Sequence, residues 1–205
     1  MAMSQDMPEP ESQRVRQGIK AKYDQVATAG PGGRFRYPTG REGLERLGYP
    51  PEILETFPAA VLATFCGVGN PFSLGPLQPG EAVLDIGCGA GVDALVAAAL
   101  VGPGGRVVGI DVTTAMLETA RANLAQLNWP QVSFEPADAE HLPFPAGDFN
   151  AVISNGVFNL TLNKGQALAE AHRVLKPGGR LLLADMVLVS KLPPEVGDKV
   201  ENWFQ

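Results

Sequence analysis

The sequence predicts an α/β fold: a Rossmann-like, doubly wound, mostly parallel sheet with helices on both faces. Three observations carry this. From residue 81 onward, apolar strand-length runs alternate with helix-length runs. The strand runs "AVLDIG", "RVVGID" and "FNAVISN" are apolar along most of their length, as strands covered on both faces must be. The first strand leads directly into a glycine-rich turn and then a helix, the place where such sheets receive nucleotide-like ligands.

The elements follow in order. Residues 1–13 are polar and proline-bearing, and a disordered tail is expected there. "RVRQGIKAKYDQVA" (14–27) predicts a short helix, and the glycines and prolines of 28–40 predict a loop. "REGLERLGY" and "PEILETFPAAVLATF" read as two short helices separated by Pro50 and Pro51. Residues 14–75 are thus expected to form a helical cap or lid, and 76–205 the ligand-binding domain. In that domain "AVLDIG" is the first strand, "VDALVAAALV" a helix, and "RVVGID" a second strand after the "GPGG" turn. "TTAMLETARANLAQL" carries Met116, Leu117, Ala120, Leu124 and Leu127 on one helical stripe. Strands follow at "VSFEPA" and "FNAVISN". A helix over 163–175 puts Ala167, Leu168, Ala171, Val174 and Leu175 on one face, "KPGG" ends it, and "RLLLADMVL" is the fifth strand. There is no internal repeat.

Composition excludes several classes. At 205 residues the chain is long enough to bury a substantial core. With 22 acidic and 16 basic residues its net charge is −6, opposite to that of a nucleic-acid-binding surface. The longest apolar run, "ALVAAALV", is too short to span a bilayer, and the N-terminus lacks the apolar core of a secretory signal. Two cysteines, Cys66 and Cys88, make neither a disulfide framework nor a zinc set, so no metal is expected and a cytoplasmic, reducing location is.

The glycine spacing narrows the ligand. A dinucleotide fingerprint is G-x-G-x-x-G, whereas the turn here reads Gly87-Cys88-Gly89-Ala90-Gly91, with Val92 at the third dinucleotide position. Asp85 stands two residues before the first glycine. A carboxylate there would repel a pyrophosphate and attract an ammonium or sulfonium group, so a cationic nucleoside suits the turn better. Asp111 closes the second strand, 20 residues after Gly91, where a carboxylate can accept from ribose hydroxyls. Asp138, after the third strand, is placed to accept from an adenine amino group. Each acid alone could be a solvated loop charge or a helix cap, but three after three successive strands argue for a site.

"VLDIGCGAG", "GID", "DAEHLPFPAGDFNAVISN" and "RVLKPGGRLLLAD", which together cover residues 81–188, resemble the sequence blocks of class I S-adenosylmethionine-dependent methyltransferases. The resemblance implies S-adenosyl-L-methionine as cofactor and a small-molecule methyl acceptor as partner. It places the cofactor against Asp85, with Asp85 facing its methionine end, and against Ile86, Gly87, Cys88, Gly89, Gly91 and Asp93. Farther along it adds Asp111, Val112, Met116, Asp138, Ala139, Glu140, Ser154, Asn155 and Gly156. "GVGNPFSLGPLQPGEAVLDIG" and "SNGVFNLTLNKGQALAEAHRVLKPGG" are similar to the arsenite methyltransferase-like branch. That branch reads G-C-G-N/S-P and S-N-C-V-x-N-L, and its cysteines hold trivalent arsenic. Here the corresponding positions are Val68 and Gly156, so the acceptor is expected to differ from arsenite.

Acceptor-site candidates are Asn155, Gly156 and Asn159 after the fourth strand, Asn70 and Phe72 before the first, Cys66, and Tyr23 and Tyr37 as the lid. His141 reads as a surface residue, His172 as structural, and Lys176 and Arg180 as solvated or helix-terminal cations. Competing readings are a ubiquinone/menaquinone-type carbon methyltransferase, which shares the "LPFPAGDFNAVISN" block, and a non-catalytic protein that binds the cofactor. A nicotinamide dehydrogenase fits poorly. The seven-stranded fold of this class ends in a strand pair that 17 residues after "LLLADMVL" do not supply. The chain is expected to be a fragment, or else to have a fifth strand whose open edge favours a homo-oligomer.

Overall fold

In the structure, a computed structural model, residues 9–32 and 35–187 are described. Five parallel strands form one sheet: β1 (Ala82–Ile86), β2 (Arg106–Asp111), β3 (Val132–Pro136), β4 (Phe149–Asn155) and β5 (Leu175–Ala184). Their spatial order is β3-β2-β1-β4-β5. The chain runs outward from β1 to β3, then returns to the other side of β1. The order therefore reverses between β1 and β4, and a crevice opens at their carboxyl ends.

Both faces are covered, as the apolar strands require. On one face Val83, Val107 and Ile153 pack against α5 (Val92–Val101) and α6 (Thr114–Ala125). The short helices α2 (Gly40–Arg46), α3 (Pro51–Leu54) and α4 (Ala59–Leu62) extend that layer. On the other, Leu84, Ile86, Val108 and Val152 meet α7 (Lys164–Val174) through Ala167, Ala171 and Val174. Successive residues Val83 and Leu84 thus enter opposite layers, the period of two that a strand imposes. Proline sets the limits of the short helices: Pro51 opens α3, and Pro58 separates α3 from α4 where one helix was expected.

Two boundaries differ from expectation. The first helix, α1 (Glu9–Ala29), begins within the expected tail. Pro10 suits the first turn, and Glu9 and Glu11 favour its positive dipole end. Residues 1–8 and 188–205, which include the "VENWFQ" end, lie outside the described residues. The second difference is in β5. Its pairing with β4 begins at Leu175, shifts register, and resumes at Arg180 opposite Ala151, so "KPGG" is a bulge within the strand. Pro177 offers no ladder donor and Gly178 takes φ 78°, which is why the chain loops out there. Arg180 is no solvated cation: Nη1 and Nη2 donate to Glu81 at 2.8 and 2.7 Å, tying β5 to the entrance of β1. Lys176 Nζ likewise donates to Asn150 Oδ1 at 2.8 Å.

Helix α1 packs across α6. Val26 of α1 is buried with Met116 and Ala90, and Tyr23, Phe35 and Cys66 pack around them. This third cluster sets α1 as a roof above the carboxyl ends of the strands.

Candidate active site

Under that roof lies a cavity of about 920 Å³. Its floor includes Gly87, Cys88 and Gly89 of the turn and Asp93 at the start of α5. Asp111 ends β2 and Val112 follows it, and Asp138, Ala139 and Glu140 follow β3. The wall beyond β4 is Asn155, Gly156 and Asn159, and Cys66 and Val68 stand beside it. Tyr23 and Tyr37 line the roof.

Seven expected residues stand outside the lining. Ile86 is in the core that faces α7, and the Ser154 hydroxyl donates to Ile86 O at 2.8 Å, tying β4 to β1. Met116 is buried beneath α1, against Val26. Gly91 faces the ring of Phe134. Asn70 caps the 3-10 turn Pro71–Leu74, its Oδ1 accepting from Phe72 N at 3.0 Å and its amide donating to Gly48 O at 3.0 Å. Phe72 sits edge-on to Tyr49. Asp85, 2 % exposed, lies behind the glycine turn, with Ala94 N donating to it and Oδ2 without a partner. His141 and His172 are exposed and do not line the cavity.

At and behind the glycine turn, Asp85, Asp93 and Asp111 form a buried acid cluster, and burial makes each of the three resist ionisation. Burial pushes Asp85 well above the usual carboxylate range, and the charges of Asp93 and Asp111 push it further. Burial also raises Asp111, although Gly89 N and Thr113 N donate to its two oxygens at 2.9 and 2.8 Å. Among the described residues, no cation stands on the cavity floor. A ligand with positive groups would relieve all three acids at once. Val112, 55 % exposed next to Asp111, presents an apolar face beside a carboxylate, which matches a nucleoside base beside its ribose. Asp138 Oδ1 accepts from Glu140 N at 2.9 Å. Glu140 Oε1 accepts from Leu162 N and Asn163 N at 2.8 and 3.0 Å, so this acid anchors the loop before α7. These features fit S-adenosylmethionine.

Tyr49 escaped the sequence reading, because a tyrosine between short helices carries no motif. It is buried, and its hydroxyl donates to Asp93 Oδ1 at 2.6 Å. Asn155 Nδ2 donates to Asp93 Oδ2 at 3.0 Å and to Gly69 O at 2.8 Å. Asn155 Oδ1 accepts from Val68 N and Gly69 N at 2.8 and 3.0 Å. Asn155 therefore holds the 67–69 segment in place, and its side chain is committed to the protein.

Burial pushes Asp93 up to about 6, with the bonds from Tyr49 and Asn155 pulling the other way. A raised acid stabilises the fold while protonated. Its contribution is complete below its unfolded value, about 3.9, and is lost as pH rises through about 6. Urea denaturation of the native protein and Asp93→Asn at pH 4 and pH 7 should show the native protein losing on the order of 2 kcal/mol relative to the variant. A difference that does not change with pH would place the buried charge elsewhere.

At the acceptor end, Val68 and Gly156 face each other. A Cβ placed on Gly156 would stand 3.3 Å from both Val68 methyls. Burial pushes the Cys66 thiol up to about 12, and Tyr37 donates to Cys66 O at 3.1 Å. Burial raises Tyr23 and Tyr37 as well, so both phenols stay protonated at neutral pH. Asn159 Oδ1 is buried without a partner, while Asn159 N donates to Asp185 at 3.0 Å.

Residues 77–205 match the family described as methyltransferase domain. An arsenite methyltransferase of Halobacterium salinarum is 36 % identical over 90 % of this chain and 50 % of its own length. A ubiquinone/menaquinone biosynthesis C-methyltransferase of Hahella chejuensis is 42 % identical over 53 % of this chain and 44 % of its own. The chain thus spans about half the length of these curated relatives. The crystal structure of an arsenic(III) S-adenosylmethionine methyltransferase from Chlamydomonas reinhardtii superposes with a TM-score of 0.59. It is 35 % identical and covers 79 % of this chain and 53 % of its own. Family match, sheet order and the acid-floored glycine turn agree: the chain belongs to the class I S-adenosylmethionine-dependent methyltransferases.

Proposed function

We propose that this chain catalyses methyl transfer from S-adenosylmethionine to a small molecule other than arsenite, held under the α1 roof. The observation that carries the reading is one continuous cavity with an acidic floor at the strand ends and an aromatic, thiol-poor chamber above it. The glycine turn and Asp111 would hold the nucleoside, Val112 would cover its base, and Asp138 would accept from the base amino group. When bound, the cofactor supplies a sulfonium methyl carbon, whose bond to sulfur breaks as the acceptor's electron pair attacks.

The chain's own contribution is placement. Tyr23, Tyr37 and Cys66 all keep their protons at neutral pH, and both oxygens of Asp93 are engaged. None is a ready general base, so the acceptor must arrive electron-rich or release its proton to water. Tyr23, Phe35, Tyr37 and Phe65 line the chamber. That aromatic wall also suits a ring-bearing acceptor, which favours the quinone-type carbon methyltransferase as the second reading.

Arsenite is disfavoured because soft trivalent ions are held by several thiolates. Val68 and Gly156 supply none, and Cys66 resists ionisation. The protein incubated with arsenite, glutathione and S-adenosylmethionine should form no methylated arsenic. Val68→Cys with Gly156→Cys should bind arsenite more tightly than the native chain. Gly156 takes φ 76°, so that cysteine carries roughly 1–2 kcal/mol of backbone strain. Equilibrium dialysis compares the two, with cofactor binding as the folding control. Native binding as tight as the double variant's would return arsenite to the site.

A further inference from the structure

Among the described residues, two buried side-chain oxygens have no hydrogen-bond partner, Asp85 Oδ2 and Asn159 Oδ1. Folded proteins rarely leave a buried acceptor unpaired, because it has given up water for nothing in return. The Asp85 oxygen lies behind the glycine turn, at the end of the site that selects positive groups. Asn159 belongs to the other end. It stands in the 3-10 turn Phe158–Leu160 after β4 and lines the cavity.

The backbone of that turn is fixed from two sides. Asn159 N donates to Asp185 Oδ2 at 3.0 Å, just past the end of β5, and Lys164 Nζ donates to Asn159 O at 3.3 Å. The neighbouring Phe158 is buried in the core that faces α7. Asn155 spends both ends of its side chain on the protein, whereas the Asn159 carbonyl is spent on nothing. Rotation about the Cβ–Cγ bond of an asparagine is soft, so this carbonyl can turn to meet a donor in the cavity. Asp185 also acts electrostatically on the Tyr23 phenol, so the aromatic wall stands near Asn159. A fixed turn that carries an unsatisfied carbonyl at the wall of a chamber is suited to orient a ligand.

The donor's charge follows from its surroundings. A carboxylate brings no proton to an orphan carbonyl. An ammonium brings several, but it would share the chamber with the sulfonium's positive charge. A neutral hydroxyl meets both limits. We infer that Asn159 is a specificity-determining residue of the acceptor site, and that it selects a neutral acceptor whose hydroxyl donates to its Oδ1. This rests on the acceptor chamber proposed above and adds the group that is recognised there.

Naphthol, methylnaphthalene and naphthoate, substituted at the same ring carbon, share their rings and differ in one group. Their own fluorescence follows binding, with and without S-adenosylhomocysteine, whose affinity is measured by calorimetry. The native protein should bind naphthol at one site, and naphthoate about tenfold or more weaker. Asn159→Leu keeps the approximate shape and removes the carbonyl. It should weaken naphthol about tenfold, leave methylnaphthalene within about twofold, and leave S-adenosylhomocysteine unchanged. Its urea midpoint should be no lower than the native one, because the lost carbonyl has no partner in the protein. A lower midpoint, or a variant that does not fold, would show that the side chain serves the fold, and overturns the inference. So does naphthol that fails to saturate the native protein, binds the variant equally well, or binds no tighter than naphthoate. A loss confined to S-adenosylhomocysteine would assign the amide to the cofactor and overturns it too. Failure of S-adenosylhomocysteine to bind the native protein defeats the cofactor reading instead, and the probes without it still decide the role of Asn159.

Discussion

Asn155→Ala will destabilise the protein by about 3–5 kcal/mol. One side chain satisfies Val68 N, Gly69 N, Gly69 O and the second oxygen of Asp93. Alanine leaves two half-buried amide donors unpartnered and removes a donor from a carboxylate already reluctant to ionise. Each buried orphan costs about 1–3 kcal/mol, and networks of this kind exceed the sum of their pairs. Tyr49→Phe, which removes the 2.6 Å bond to Asp93 and two longer contacts, to Gly69 O and from Asn155 Nδ2, should lose less, roughly 1–3 kcal/mol. Urea denaturation measures both. A loss below about 1 kcal/mol for Asn155→Ala would mean that the 67–69 segment is held by something else.

Much of the sheet was legible because its signals are local. "VDALVAAALV" lies between Gly91 and Gly102, and α5 occupies those ten residues. β2 and β4 likewise match their apolar runs. The sheet's interior needs only apolar runs bounded by turn residues, so composition and punctuation suffice. The start of α1 was hidden because a polar surface helix shares its composition with a disordered tail. The β5 bulge was hidden because "KPGG" also reads as a helix stop.

At the site, the acids after β1, β2 and β3 could be found from position alone. Their tasks could not, because a carboxylate's role depends on who donates to it. Asp85 turned out to be buried behind the turn, and Glu140 to anchor the loop before α7. Tyr49 and Asn155 meet across 106 positions, a contact that no local pattern announces. Val68 and Gly156 were paired only through the resemblance, and the fold sets them face to face.

The glycine turn carries the second large prediction, and its three glycines separate folding from binding. Gly91 takes φ 84°, and a Cβ there would fall 2.6 Å from the Phe134 ring and 3.0 Å from the Ala120 methyl. Gly91→Val therefore forces α5 away from β3 and α6 and should unfold the protein or abolish its soluble expression. Gly87 is as tightly enclosed, by Val157. Gly89 differs. Its φ is 51°, near the ordinary left-handed well, and the nearest atom to a Cβ there is Met116 Sδ at 3.9 Å. Gly89→Val should lose only about 1–2 kcal/mol of stability. Its branched side chain projects into cavity space, where the backbone must come close to the nucleoside.

Calorimetric titration of S-adenosylhomocysteine into the native protein and Gly89→Val, with circular dichroism confirming that both are folded, tests the central claim most directly. The account predicts saturable one-to-one binding by the native chain and an affinity at least about 100-fold weaker in the variant, a difference of about 2.7 kcal/mol. A folded Gly89→Val that binds with native affinity would contradict it, and the cofactor would have to lie elsewhere than against the β1 turn.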